Sequence, residues 1–521
     1  MIAAIIYGIH KLFGSPAFEI EYPPHRLQNI NNLRSLDEKR QRAKQLRLEG
    51  KYMSALQEFQ ELLISDLKAY GPTDAKIISD YINISNLYEY LHNYNKALEY
   101  QNQALDALRQ IHNTMHPSVA IVLSDIARLN SKLGNNEEGL KHATQAYNIL
   151  CQFLGSNHPE VLVTLNDMGD INYRLHQYEE ALKIYDQLLN LYIEKEAENQ
   201  RLVAVCLNKK GSVYLEIKEF DQAIQHFDRA YGILKDVYKS HNHPELSIIL
   251  DDMALAYEVS GDKDKALEIY HQALVINEEF AQDRPEAKLN SFNQIGRLYS
   301  RMGNHDQAIE YFEKALKFAK ANFAIDPSII ASEYSILAIC YERMNNLDKA
   351  LEYISKALEI ETQKGGESKE VALSLSHKGR FLALKGSLDE GLELCNNALE
   401  IIVRIDPSNI AETGRIYHDI GRCYILKEDI KVAHGFLQKS KKLLEKTHGS
   451  DELFLGFCLK DVAEVEFKLG NKVKARELLK NAFKIFKYFL GKDNQVVQDS
   501  IRLGEEWEKN ALIEKSHTKM D

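Results

Sequence analysis

Residues 157–190 read NHPEVLVTLNDMGDINYRLHQYEEALKIYDQLLN, and the reading of this stretch decides the fold. His158-Pro159 opens it. Proline at the first helical position loses nothing, because that amide has no helical partner anyway. Apolar residues then recur at three- and four-residue spacing, which marks one buried helix face. A second apolar pattern begins at Ala181-Leu182 and carries Tyr185 four residues on. The stretch predicts two helices packed against each other.

The pattern repeats along the chain. A small residue comparable to Ala181 stands at Ala55, Ala97, Gly139, Ala223, Ala266, Ala308, Ala350, Gly391, Ala433 and Ala475, at intervals of 41 to 43 residues. Twelve residues before each of these eleven anchors stands another small residue, from Ala43 through Gly169 and Gly296 to Ala463. Tyr88, Tyr214, Tyr257, Tyr299, Tyr341 and Tyr424 recur nine before the anchor, and Phe59, Tyr185, Phe227, Tyr270 and Phe312 four after it. Small residues let two helix backbones approach, and the aromatics fill the remaining space. Breaks such as Gly134-Asn135 and Gly303-Asn304 end the first helix of a pair. Pro steps recur between pairs at His116-Pro117, His243-Pro244, Arg284-Pro285, Asp326-Pro327 and Asp406-Pro407, each predicted to start a helix with the preceding residue as its cap.

Composition agrees. Gly and Pro together make only 36 of 521 residues, too few to punctuate an all-β chain. Hydrophobic residues at 45% supply enough apolar surface for a folded protein. A net charge of −11 argues against a dedicated nucleic-acid or anionic-membrane binder. Six cysteines occur, none as CxxC, so no structural zinc is expected and a reducing, cytoplasmic location is.

These columns resemble the tetratricopeptide repeat, in a form longer than its usual period of about 34. The 42-residue variant with His-Pro before the first helix is similar to the kinesin light chain subclass, best matched from Asn157 to Gly169. The resemblance implies an all-α fold, a right-handed α-α superhelix of about eleven helix pairs over residues 35–490. A capping helix holding Trp507 is expected over 491–515, and a tail over 516–521. Residues 1–34 are read as a short helix or a disordered segment; their apolar start is too short to span a bilayer.

The resemblance also implies where a ligand sits. In such arrays the first helices line the binding face, here at fifteen, eleven and seven residues before each anchor. Those columns hold Asn166, Asn208 and Asn293, whose amides suit an extended peptide backbone. Asp170, Arg174 and Ser212 lie beside them, and Arg297, Arg301, Arg343, Arg380 and Arg422 form a basic run. A partly acidic peptide or partner domain is the expected ligand. Asp125, Asp167, Asp170, Asp251 and Asp252 make the earlier part mixed or acidic, suggesting a bipolar ligand. No three successive first helices carry the Lys/Asn/Arg set that clamps chaperone tails.

Chemistry is not expected. There is no dinucleotide or phosphate loop and no HExxH. His116, His158 and His243 read as loop formers, and Cys340 and Cys423 as small core residues. No catalytic residue, cofactor or metal is predicted. The expected function is a non-enzymatic scaffold, with a peptide-responsive receptor or a cargo adaptor as alternatives; no heptad coiled coil precedes the repeats.

Overall fold

The computed structural model describes residues 30–517, apart from 113, 194–198, 325, 364, 448–450 and 493. The expectations for residues 1–29 and 518–521 lie outside the described residues. The described residues form helices and no strands. No helix among them is long and apolar enough to cross a membrane.

The chain divides into two compact units, Met1–Val213 and Tyr214–Asp521. Unit 1 holds α1 (Ile30–Leu48), α2 (Tyr52–Tyr70), α3 (Ala75–Tyr90), α4 (Tyr94–Ile111), α5 (Pro117–Lys132), α6 (Asn136–Leu154), α7 (Pro159–Arg174), α8 (Tyr178–Ile193) and most of α9 (Gln200–Glu216). Unit 2 contains α10 (Phe220–Tyr238), α11 (Pro244–Ser260), α12 (Lys263–Glu279), α13 (Pro285–Met302), α14 (His305–Asn322), α15 (Pro327–Arg343) and α16 (Leu347–Gln363). It continues through α17 (Lys369–Lys385), α18 (Leu388–Ile405), α19 (Ile410–Leu426), α20 (Ile430–Leu444), α21 (Asp451–Lys468), α22 (Lys472–Leu490) and α23 (Gln495–His517). Odd-numbered helices are first helices and even-numbered ones second helices. Apart from α9, each packs on its chain neighbours within its unit, giving a solenoid of helix pairs.

The small-residue columns are the closest helix contacts. All eleven anchors and all eleven residues twelve before them are buried. A Cβ added at Gly169 would lie 2.6 Å from the Tyr185 ring, and one at Gly296 2.6 Å from Phe312. The aromatics four after the anchor are at most 3% exposed. Four of the six tyrosines nine before it stack on a partner twelve residues on: Tyr88 on Tyr100, Tyr299 on Tyr311, Tyr341 on Tyr353 and Tyr424 on Phe436, with centroids 5.5–5.7 Å apart. Each stack adds about 0.5–1.5 kcal/mol beyond the area it buries. Trp507 of α23, 5% exposed, stacks on Phe467 with centroids 4.4 Å apart and seals the last pair.

Caps follow the Pro steps, with two corrections. Arg284, before Pro285, makes no side-chain cap bond. Pro117, Pro159, Pro244, Pro285 and Pro327 all start helices. The loop histidines are caps: Nδ1 of His116, His158 and His243 accepts from Ser118, Glu160 and Glu245 amides at 3.2, 3.2 and 3.3 Å. Asp406-Pro407 does not start a helix. Asp406 folds a turn onto Ser408 instead, and Asn409 caps α19 by accepting from the Glu412 amide.

Candidate functional site

First helices one repeat apart are hydrogen-bonded to each other, and the bonds follow a rule. A cation seven before an anchor reaches back 43 residues to the residue eight before the preceding anchor. Lys132 pairs with Glu89 this way and Arg301 with Glu258, while Arg174 donates to Ser131 Oγ at 2.6 Å and Arg343 to Ser300 Oγ at 2.9 Å. Arginines eleven before the anchor use the same acceptor column. Arg128 reaches Glu89, and Arg380 reaches Glu342 at 2.7 Å.

In unit 1 the ligand-facing columns are largely spent. Asn166 is buried and accepts from Lys209 Nζ at 2.6 Å. Asp170 accepts from the same Lys209 at 2.6 Å and from the Tyr185 hydroxyl at 2.8 Å. Arg174 is held by Ser131, and Ser212 donates to the Asn208 carbonyl at 3.2 Å. Asp125 is paired with Arg128. Burial pushes the Asp167 carboxyl up to about 7, with Asp170 and Asp125 adding to the rise against Arg128 and Lys209. These carboxylates are neutralised by the fold, which removes the basis for the basic half of a bipolar ligand.

In unit 2 the five arginines fall into two groups. Arg380 is 8% exposed and sits between Glu342 and Asp419, the latter at 3.2 Å. Arg301 is held by Glu258, and Arg422 faces Asp461 at 3.7 Å. Arg297 and Arg343 are exposed and have no carboxylate at ion-pair distance among the described residues. The cause is local. Arg301 occupies Glu258, the acceptor Arg297 would otherwise use, and the acceptor for Arg343 is the uncharged Ser300. Partial desolvation and the like charge of Arg301 lower Arg297 from the usual arginine value; desolvation, with Arg301 and Arg380, does the same to Arg343.

Asn293 is buried and donates to Glu333 Oε1 at 2.8 Å. Burial pushes the Glu333 carboxyl up to about 7 against the pull of Asn293 and Arg297. The carboxyl nearest Arg297 is therefore only partly ionised at neutral pH.

The predicted columns run along the first helices, but Asn166, Asn293 and Arg380 are buried there and bonded to neighbouring first helices. Sequence reasoning missed Lys209 as the partner of Asn166, Glu333 of Asn293, Glu258 of Arg301 and Ser300 of Arg343. Glu89, Ser131, Glu258, Ser300 and Glu342 all stand eight before an anchor, and that column was the available signal. Cys340 and Cys423 are buried core residues, and all six cysteines are free. Among the described residues no cluster of His, Cys, Asp or Glu could hold a metal ion.

A family model described as "Tetratricopeptide repeat" matches residues 38–110, 118–194, 164–236, 202–279, 245–321 and 370–446, and a second of the same description matches 334–364. No curated protein sequence matches the chain. Among solved structures, yeast Tom70 is similar at 15% identity and a TM-score of 0.42, over 93% of this chain and 97% of that one. A Podosopora anserina protein with nearly identical TPR-like repeats of kinesin light chain type aligns at 15% identity and 0.37, over 41% of this chain and all of its own. BtubC (BKLC) from P. vanneervenii aligns at 20% and 0.35, over 43% of this chain and 90% of its own.

Proposed function

The chain belongs to the tetratricopeptide repeat family, and from that premise we propose that it is a non-enzymatic protein–protein interaction scaffold whose second unit holds a partly acidic segment of a partner against α13 and α15. One observation carries the reading. Arg297 and Arg343 are the two arginines of the basic run that the fold leaves exposed without a carboxylate partner. Two guanidiniums lowered from the usual arginine value by desolvation and by the like charge of Arg301 favour an incoming carboxylate, which each can fork onto. Arg301, Arg380 and Arg422 contribute field and shape, since their guanidiniums already face Glu258, Glu342, Asp419 and Asp461.

The test is quantitative affinity capture with full-length protein and with Arg297→Glu/Arg343→Glu. Both side chains are exposed, so the double variant keeps the wild-type melting temperature. The expected result is loss of most captured partners, those lost being enriched in acidic segments. An unchanged set of partners contradicts the reading. Reversing Arg301 or Arg380 would be a poor test, because each would strand a buried carboxylate.

A further inference from the structure

Unit 2 contains a groove that does not belong to the first-helix columns just described. The α11–α12 turn lies against the end of α22 and the turn into α23, far apart in sequence. Lys263 Nζ donates to the Leu490 carbonyl, and Asn494 Nδ2 donates to the Arg301 carbonyl at 2.7 Å. Nearby, Lys218 lies 3.7 Å from Glu452 and over the Tyr488 ring at 4.6 Å, and Phe220 meets Tyr488 at 6.2 Å between centroids. The contacts hold the two walls in place. Between them is a cavity of about 850 Å³.

The lining combines an apolar floor with a charged rim. Phe220, Met302, Phe483, Tyr488 and Phe489 supply the floor. The rim charges differ in how far the fold uses them. Glu258 is held by Arg301 and accepts from the Tyr270 hydroxyl. Asp262 is spent as the cap of α12, accepting from the Lys265 amide at 3.0 Å, and Asp264 lies in the first turn of that helix, where the helix dipole offsets its charge. Lys484, Lys487 and Lys492 are exposed and make no ion pair among the described residues. Lys484 and Lys487 are three apart and share one face of α22. Glu258 and Asp262 are thus occupied, whereas Lys484, Lys487 and Lys492 carry exposed charge with no ion-pair partner among the described residues.

We propose that this groove is a second docking site, taking an acidic peptide segment of a partner that carries one large apolar side chain. The apolar side chain fills the floor between Met302 and Tyr488, and flanking carboxylates meet Lys484, Lys487 and Lys492. Charge complementarity selects an anionic occupant, and the apolar floor selects against a plain polyanion.

The test uses full-length protein and a fluorescein-labelled twelve-residue peptide of Glu and Ser with one central Trp, followed by anisotropy. Saturable binding is expected. In the Arg297→Glu/Arg343→Glu background, which disables the α13–α15 surface, binding should persist, Lys484→Glu/Lys487→Glu should weaken it by about tenfold, and Trp→Ser in the peptide by a similar factor. Lack of saturable binding overturns the proposal. So does loss of binding in that background, or equal binding there of the Trp-free peptide or of the lysine variant. Preferential capture by phosphatidylserine vesicles that the peptide fails to displace also overturns it, by assigning the surface to lipid. Because the lysine variant is read with the α13–α15 surface disabled, failure here leaves that surface to stand or fall on its own test.

Discussion

At the residue scale, the position five before each anchor has the strictest backbone. Gly50, His92, Gly134, His176, Lys218, Gly261, Gly303, Asn345, Gly386, Glu428 and Gly470 all have φ between 57° and 107°. This is the left-handed residue that ends each first helix and turns the chain into the second. Glycine adopts it without penalty, whereas a side chain costs about 1 kcal/mol there. Glu428 is exposed at φ 62° and makes no side-chain bond among the described residues that would offset that cost. Glu428→Gly should therefore stabilise the protein by about 1 kcal/mol in urea unfolding; a destabilised variant would show that the turn is held by something other than backbone preference. The sequence makes half of this column visible, since Gly134 and Gly303 announce the break. His176 and Lys218 do not, because nothing in their chemistry asks for a positive φ; the packing of the flanking helices imposes it.

At the element scale, helices and their pairing were legible because they depend on columns of size and polarity. Ala, Gly and Tyr report the local spacing of two helices wherever they recur. The ligand-facing side chains were only partly legible. A column number fixes the face on which Arg343 or Arg380 lies, but not whether the preceding helix offers Ser300 or Glu342. That difference decides which arginine remains open to a ligand. Glu333 adds a pH dependence to the same surface. Its carboxyl, raised to about 7 by burial, is mostly protonated at pH 6 and mostly ionised at pH 8. Ionisation places a negative charge near Arg297, in competition with a ligand carboxylate. Affinity for an acidic peptide should fall roughly threefold from pH 6 to pH 8, and Glu333→Gln should flatten the profile near its pH 6 level. A Glu333→Gln profile that keeps the full wild-type slope would assign the titration elsewhere. The His caps lie outside this range of effects, since they act on helix starts and not on the binding face.

At the scale of the whole molecule, chain length converts into helix pairs rather than into unrelated domains. Eleven pairs and a closing helix account for the described residues, arranged in two compact units. The groove beside α22 was not legible in the sequence at all, because Lys263 and Leu490 are brought together only by the stacking of the intervening pairs. The α13–α15 surface was half legible: its arginines were visible, whereas Glu258, which holds Arg301, was not. The most direct measurement of the central claim is isothermal titration of the full-length protein with an extended Glu/Ser peptide lacking aromatic residues, at 50 and 300 mM salt. The expected result is binding that weakens with salt and is reduced about tenfold or more by Arg297→Glu/Arg343→Glu. Equal affinity of the wild type and the double variant at both salt concentrations would contradict it.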